Sequence, residues 1–111
     1  MDLDEVRVLE NPGSARFEVT VGQQVAGYVQ YRDRADERSF VHTVIDPAYE
    51  GHGLASRLIS AALADARRRG AAVFPYCPFV RDYLLKHPQD LDLVPMHGRR
   101  RFGLPEEVSR A

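Results

Sequence analysis

The sequence predicts a mixed α+β fold: an antiparallel β-meander followed by a helix, a parallel strand and a second helix. Three observations predict it. Residues 6–45 alternate apolar and polar side chains and are interrupted by turn formers. After Gly53 the apolar period lengthens to that of an amphipathic helix. A short apolar run, 71–76, follows at once. Strand, helix and strand in that order imply a parallel pair joined by a right-handed crossover.

Each element has its own signal. In "VRVLE" (6–10), Val6, Val8 and Glu10 share one face, and "NPGS" (11–14) is a turn cluster. "ARFEVTV" (15–21) puts Phe17, Val19 and Val21 together, and "GQ" (22–23) suits a tight hairpin. "QVAGYVQYR" (24–32) is expected to place Val25, Gly27, Val29 and Tyr31 on one face. "RSFVHTVI" (38–45) is the fourth strand, ended by Asp46-Pro47. Leu54, Leu58, Ile59, Ala62, Leu63 and Ala66 form the buried stripe of a helix that ends at Gly70. "PFVRDYLLKH" (78–87) is a second helix with Pro78 in its first turn and Phe79, Val80, Tyr83, Leu84 and His87 facing inward. "LDLVP" (91–95) is compatible with a last strand. Residues 1–96 read as the single domain, and 97–111 as a flexible tail whose Arg99–Arg101 run is a solvated stretch.

Composition narrows the function classes. The chain has 111 residues, 44% hydrophobic and 28% charged, with a net charge of −1. That suits one globular domain, and the balance gives no electrostatic case for nucleic acid or a membrane surface. Cys77 is the only cysteine, so an intrachain disulfide is excluded. No apolar run approaches the length of a membrane span, and "MDLDEVRVLE" is not a secretory leader. A cytoplasmic protein, monomeric or weakly dimeric, is the expectation. The histidines and Cys77 show no metal-ligand spacing, so no metal is expected.

"DPAYEGHGLA" (46–55) joins the fourth strand to the helix. The first amides of a helix have no internal partner and carry partial positive charge. Gly51 and Gly53 remove the side chains that would hold an anion away, which suits a phosphate or pyrophosphate cradle. A Walker A loop would need Gly-Lys-Ser/Thr, and a dinucleotide fingerprint a third glycine where Ser56 stands. A glycine loop that binds nothing is the alternative.

The stretch "EGHGLA" (50–55) resembles the acyl-CoA motif of the GNAT superfamily of N-acyltransferases, Arg/Gln-x-x-Gly-x-Gly/Ala. Gly53 and Ala55 match its small positions, and Glu50 departs from its first. "FVHTVIDPAYEGHGLASRL" (40–58) and "YCPFVRDYLLKHPQDLDLV" (76–94) are similar to a subgroup of very short, single-domain members. The resemblance implies a minimal GNAT fold with a V-shaped splay between the fourth and fifth strands. It implies acetyl-CoA as cosubstrate and transfer of acetyl to an amine, such as a protein amine or a polyamine. It assigns the pyrophosphate to the amides of Gly51, His52, Gly53, Leu54 and Ala55 with the Ser56 hydroxyl. It assigns the pantetheine arm to the backbone of Val44 and Ile45. Splayed strands expose unpaired amides and carbonyls that such an arm can satisfy, and Pro75 is compatible with the splay.

Two residues are candidates for the chemistry. Cys77 lies between a strand and a helix N-terminus, where thiols ionise more readily, and short GNAT-like proteins often carry cysteine there. It reads either as an acyl-carrying nucleophile or as a small buried residue. His42, with Phe40 and Val44 expected as neighbours on its face, reads either as the base that deprotonates the amine or Cys77, or as a half-buried filler. Tyr83 reads as core packing before leaving-group acid. The helices that wall the acceptor site in larger family members have no room here, so an open acceptor side is expected. The function expected is an acetyl-CoA-dependent N-acetyltransferase; the alternative is a non-catalytic module that binds or senses acetyl-CoA.

Overall fold

The computed structural model describes residues 2–107. One sheet is built from β1 (Val6–Asn11), β2 (Arg16–Val21), β3 (Gln24–Arg34), β4 (Glu37–Ile45) and β5 (Ala72–Pro75), in that order across the sheet. The first four pair antiparallel and β5 joins β4 in parallel. Between β4 and β5 runs α1 (Leu54–Arg69), and α2 (Pro78–Lys86) follows β5. The mixed fold and its element order are those predicted.

The strands form where alternation and turn residues put them. Gly22, at φ +60°, supports the β2–β3 hairpin. Two bulges then break the period of two. Val19 pairs with Gly27 but Thr20 pairs with Val25, so Ala26 is the extra residue. Ala26 is therefore buried and Val25 is 47% exposed, which corrects the expected placement of Val25 beside Gly27, Val29 and Tyr31. In β4, Gln30 pairs with His42 and Tyr31 with Phe40, which leaves Val41 as the second bulge. Phe40 turns into the core while His42 faces the other side of the sheet, exposed. The expectation that Phe40 and His42 share a face is thereby overturned.

The stripe of α1 is the one the sequence marks: Leu54, Leu58, Ile59, Ala62, Leu63 and Ala66 are all buried. They pack on the sheet face carrying Phe17, Val19, Val29 and Phe40. Gly70 ends the helix at φ +68°, its amide donating to the last turn. α2 adds Val80 and Leu84 to the same core, whereas Phe79, expected inward, is 49% exposed. Arg38 is 2% exposed and ties sheet to helix. Its Nε and Nη2 donate to Asp33 at 2.8 and 2.9 Å, and Nη1 donates to Asp65 of α1 at 3.0 Å. The guanidinium lies over the Tyr31 ring, 3.8 Å from its centroid.

The C-terminal part corrects two expectations. Residues 91–95 are not a strand; Pro88–Leu93 is a 3-10 turn that buries Leu91 and Leu93. From residue 97 a flexible tail is expected, yet Met96–Phe102 forms a helix, α3, followed by buried Leu104. The physical reason is a set of anchors hidden in a polar stretch. Gly98 packs under Phe74, and Arg99 Nε donates to the Leu91 and Val94 carbonyls at 3.1 and 2.8 Å. The packed unit thus extends past residue 96. Residues 108–111 of the expected tail lie outside the described residues.

Gly27 has no room for a side chain. A Cβ there would stand 2.5 Å from the Val44 carbonyl oxygen and 2.6 Å from Ile45 Cδ1. Gly27→Ala is expected to cost about 1–3 kcal/mol, because the obstacle is backbone. The displaced backbone is that of Val44–Ile45, and urea denaturation of the variant should show the stability reduced.

Candidate functional site

The site begins where β5 stops. The parallel ladder runs only from Glu37↔Ala72 to Phe40↔Pro75, and β4 continues to Ile45 without a partner on that side. Pro75 donates no ladder bond, and the Cys77 amide turns back to the Phe40 carbonyl at 2.9 Å. This is the V-shaped splay. The Asp46 amide donates to the Ala26 carbonyl at 2.8 Å. Antiparallel alternation from that bond directs the Val44 amide towards β3 and those of Thr43 and Ile45 into the opening.

Below the opening, Asp46 caps a 3-10 turn (Pro47–Tyr49) through its side chain, and the chain then swings into α1. Gly51 and Gly53 sit at φ +84° and +73°, a left-handed region that disfavours any Cβ. A Cβ at either would meet nothing within 4 Å, so the backbone faces open space. Gly53 caps α1 without a side-chain bond, leaving the first amides of the helix without intrahelical partners.

These parts enclose a groove of about 470 Å³. Val44 and Ile45 form one wall, and Gly51, Gly53, Leu54, Ala55 and Ser56 form the floor. Seven of the expected cofactor-binding residues thus meet in one cavity. His52, assigned with them, is exposed and is not part of the lining. Thr43, Tyr49 and Phe79 complete the wall and were missed. The signal for Phe79 was present: it lies at the margin of its helix stripe, beside the N-terminal proline. Glu50 also lines the groove, and among the described residues no Lys or Arg does. The groups this end of the groove offers to an anion are backbone amides and the helix dipole.

The two chemical candidates part company. Cys77 is 2% exposed, and its Sγ lies 2.9 Å from Thr43 Oγ1, also buried. His42 projects from the opposite face of β4, where its ring meets the edge of Tyr28 at a centroid distance of 6.1 Å. Consecutive residues of a strand point to opposite faces, so His42 and Thr43, with the Cys77 it holds, lie on different sides of the sheet. The expected proton transfer from Cys77 to His42 has no path in this arrangement. Tyr83 packs partly against the core and stacks on His87 at 3.8 Å, outside the groove lining.

Residues 16–93 match the family model of the GCN5-related N-acetyl-transferase. The chain belongs to that family. Its fold is also that of a GCN5-like protein from Staphylococcus aureus solved by NMR in solution. The two share 18% identity at a TM-score of 0.65, over 82% of this chain and 89% of the other. At that identity the likeness speaks for the fold. The family match covers both the splay and the glycine turn. Among the described residues of this GCN5-related chain, no helix is long and apolar enough to cross a membrane, and no cluster of His, Cys, Asp and Glu is arranged to hold a metal.

Proposed function

We propose that the chain is an acetyl-CoA-dependent N-acetyltransferase acting by direct attack of an amine on the thioester. The observation that carries this reading is the coincidence, in one groove, of an unpaired strand edge with a glycine turn and a helix N-terminus. The edge of Thr43 and Ile45 offers amides and carbonyls to a pantetheine arm. The turn at Gly51–Gly53 and the amides that open α1 offer donors to a diphosphate, and the open space at both glycines fits so bulky an anion.

The reaction needs orientation more than covalent help. The amine nitrogen bonds to the acetyl carbon, the carbon–sulfur bond breaks, and CoA leaves as the thiol once its sulfur takes up a proton. An amide on the opened edge of β4 is available to the developing oxyanion. His42, exposed beside the splay, is the side chain that accepts the proton of the amine.

Titration calorimetry with acetyl-CoA tests the site, and a panel of amine acceptors tests turnover. Saturable binding with acetyl transfer above the buffer rate is expected; a flat titration refutes the reading. Binding without transfer to any amine would leave a binding module instead. Burial of Cys77 argues for the direct route. Radiolabelled acetyl should not remain on the protein after rapid quenching, and Cys77→Ser should keep turnover within about two-fold, since serine preserves the bond to Thr43. Glu50 places a carboxylate in the anion groove. Glu50→Gln should tighten acetyl-CoA binding about two- to five-fold, the size expected for relief of one exposed like-charge contact.

A further inference from the structure

The helices α1 and α2 pack on one face of the sheet, and α3 reaches the other at Phe74 of β5. Strand pairing sets out what the remaining face displays. One row across it runs Leu9, Glu18, Tyr28, Val44, and the next runs Asn11, Arg16, Gln30, His42. The first row ends at Val44 in the groove wall, and the second ends at His42 beside the splay. Apolar area is left bare on this face: Leu9 is 55% exposed and Val25 47%.

The charge of this face leans basic, with Arg7, Arg16, Arg32 and Arg34 against Glu18 and Glu37. Glu18 is held by Asn11 at 3.1 Å and by Arg16 at 2.7 Å, which together keep its carboxyl below the usual glutamate range. Arg16 in turn lies over Tyr28, 4.5 Å from its centroid. Arg7 and Arg32, one on each side of these rows, are exposed and meet no carboxylate within 4 Å among the described residues. Acidic partners such as Glu10 and Asp65 lie on the helix side instead, taken by Arg69 and Arg38.

We propose that this uncovered face is the acceptor platform, and that it takes an acidic polypeptide segment whose lysine amine reaches the splay past His42. The inference rests on the N-acetyltransferase reading and names its substrate class. Unpaired arginines on both sides of the rows favour carboxylates on both sides of the lysine and repel a polyamine. The bare Leu9 and Val25 suit apolar side chains rather than a phosphate backbone.

The test uses the full chain at saturating acetyl-CoA and two blocked peptides of equal length, each with one central lysine. One carries glutamates around it and the other arginines. The acidic peptide is expected to show a kcat/KM about ten-fold higher, a preference that fades as salt shortens the screening length. The double variant Arg7→Glu, Arg32→Glu should reverse the preference while acetyl-CoA binding is unchanged. Both positions are exposed, so folding should survive, and a circular dichroism melt checks it. Amide chemical shifts give a second readout that needs no turnover: the acidic peptide should move Thr20, Val25 and Tyr28. Equal rates for the two peptides, shifts confined elsewhere, or a concentration-dependent dimer covering these amides would overturn the proposal. So would displacement of the peptide by a single-stranded RNA at lower concentration. If acetyl-CoA itself fails to bind, the earlier reading falls, and the peptide shifts still decide the fate of this face.

Discussion

Gly53→Val should abolish acetyl-CoA binding and lower stability by about 1–2 kcal/mol, the cost of a β-branched residue in the left-handed region. Gly53 stands at φ +73° at the entrance to α1 and lines the groove, and a Cβ there would meet nothing within 4 Å. Two isopropyl methyls there occupy the space in front of the amides that open the helix. Strain and obstruction can be separated within the same helix. Gly70, at the other end of α1, has φ +68° and equally open surroundings, but it lies outside the groove. Gly70→Val is expected to lose comparable stability and keep its affinity. Calorimetric titration and urea denaturation of the two variants give the comparison. Normal binding by a folded Gly53→Val protein would remove the glycine turn from the site.

Arg38→Ala should be strongly destabilising, at about 3 kcal/mol. The guanidinium is buried, and its loss deprives Asp33 of a bidentate partner and Tyr31 of its stacked cation. Asp65 keeps Arg68 and Arg69, which holds the cost near the lower end of the range for a broken buried pair. In a domain of this size the melting temperature should fall by roughly 12–20 °C. Arg38→Lys should recover only part of it, because an ammonium cannot make the fork to Asp33.

The same pair fixes an acid limb. Hydrogen bonds from Arg38 hold the Asp33 carboxyl below the ordinary aspartate range, and those from Arg67 do the same for Asp92. A carboxyl whose folded pKa is depressed stabilises the fold above its unfolded pKa and ceases to do so as pH falls through the folded value. Stability of the wild-type protein should therefore decline below about pH 4. Arg38→Ala should show a shallower decline, since the Asp33 contribution is already gone. Chemical denaturation over a pH series reads both.

The sequence was most legible where one physical rule acted alone. The stripe of α1 follows from helical period only, and all six of its residues are buried as read. The glycine turn follows from backbone freedom, and both glycines are left-handed. Strand phase was less legible, because a bulge adds a residue without leaving a mark in hydropathy. Ala26 and Val41 each reverse the facing of the residues beyond them, which is why Val25, and Phe40 as a neighbour of His42, were misplaced, while Val44 does share the His42 face. The edge groups facing the groove belong to Thr43 and Ile45 rather than to Val44 for a related reason: amide direction depends on pairing, which one strand does not reveal. Cys77 depended on an exposure that no local pattern encodes. The C-terminal helix escaped because its anchors are single residues, Gly98, Arg99 and Leu104, set in a polar stretch.

The sheet is completed by a single non-local union. β1 to β4 are neighbours in the chain as well as in space and zip together through short turns, whereas β5 can find β4 only after the whole of α1 has come between them. Loop-closure entropy makes that meeting the slow one. The opening between β4 and β5 is therefore finished last as the chain folds. It should also be first to loosen near unfolding, with amide exchange fastest along β5 and slowest in the β2–β3 hairpin.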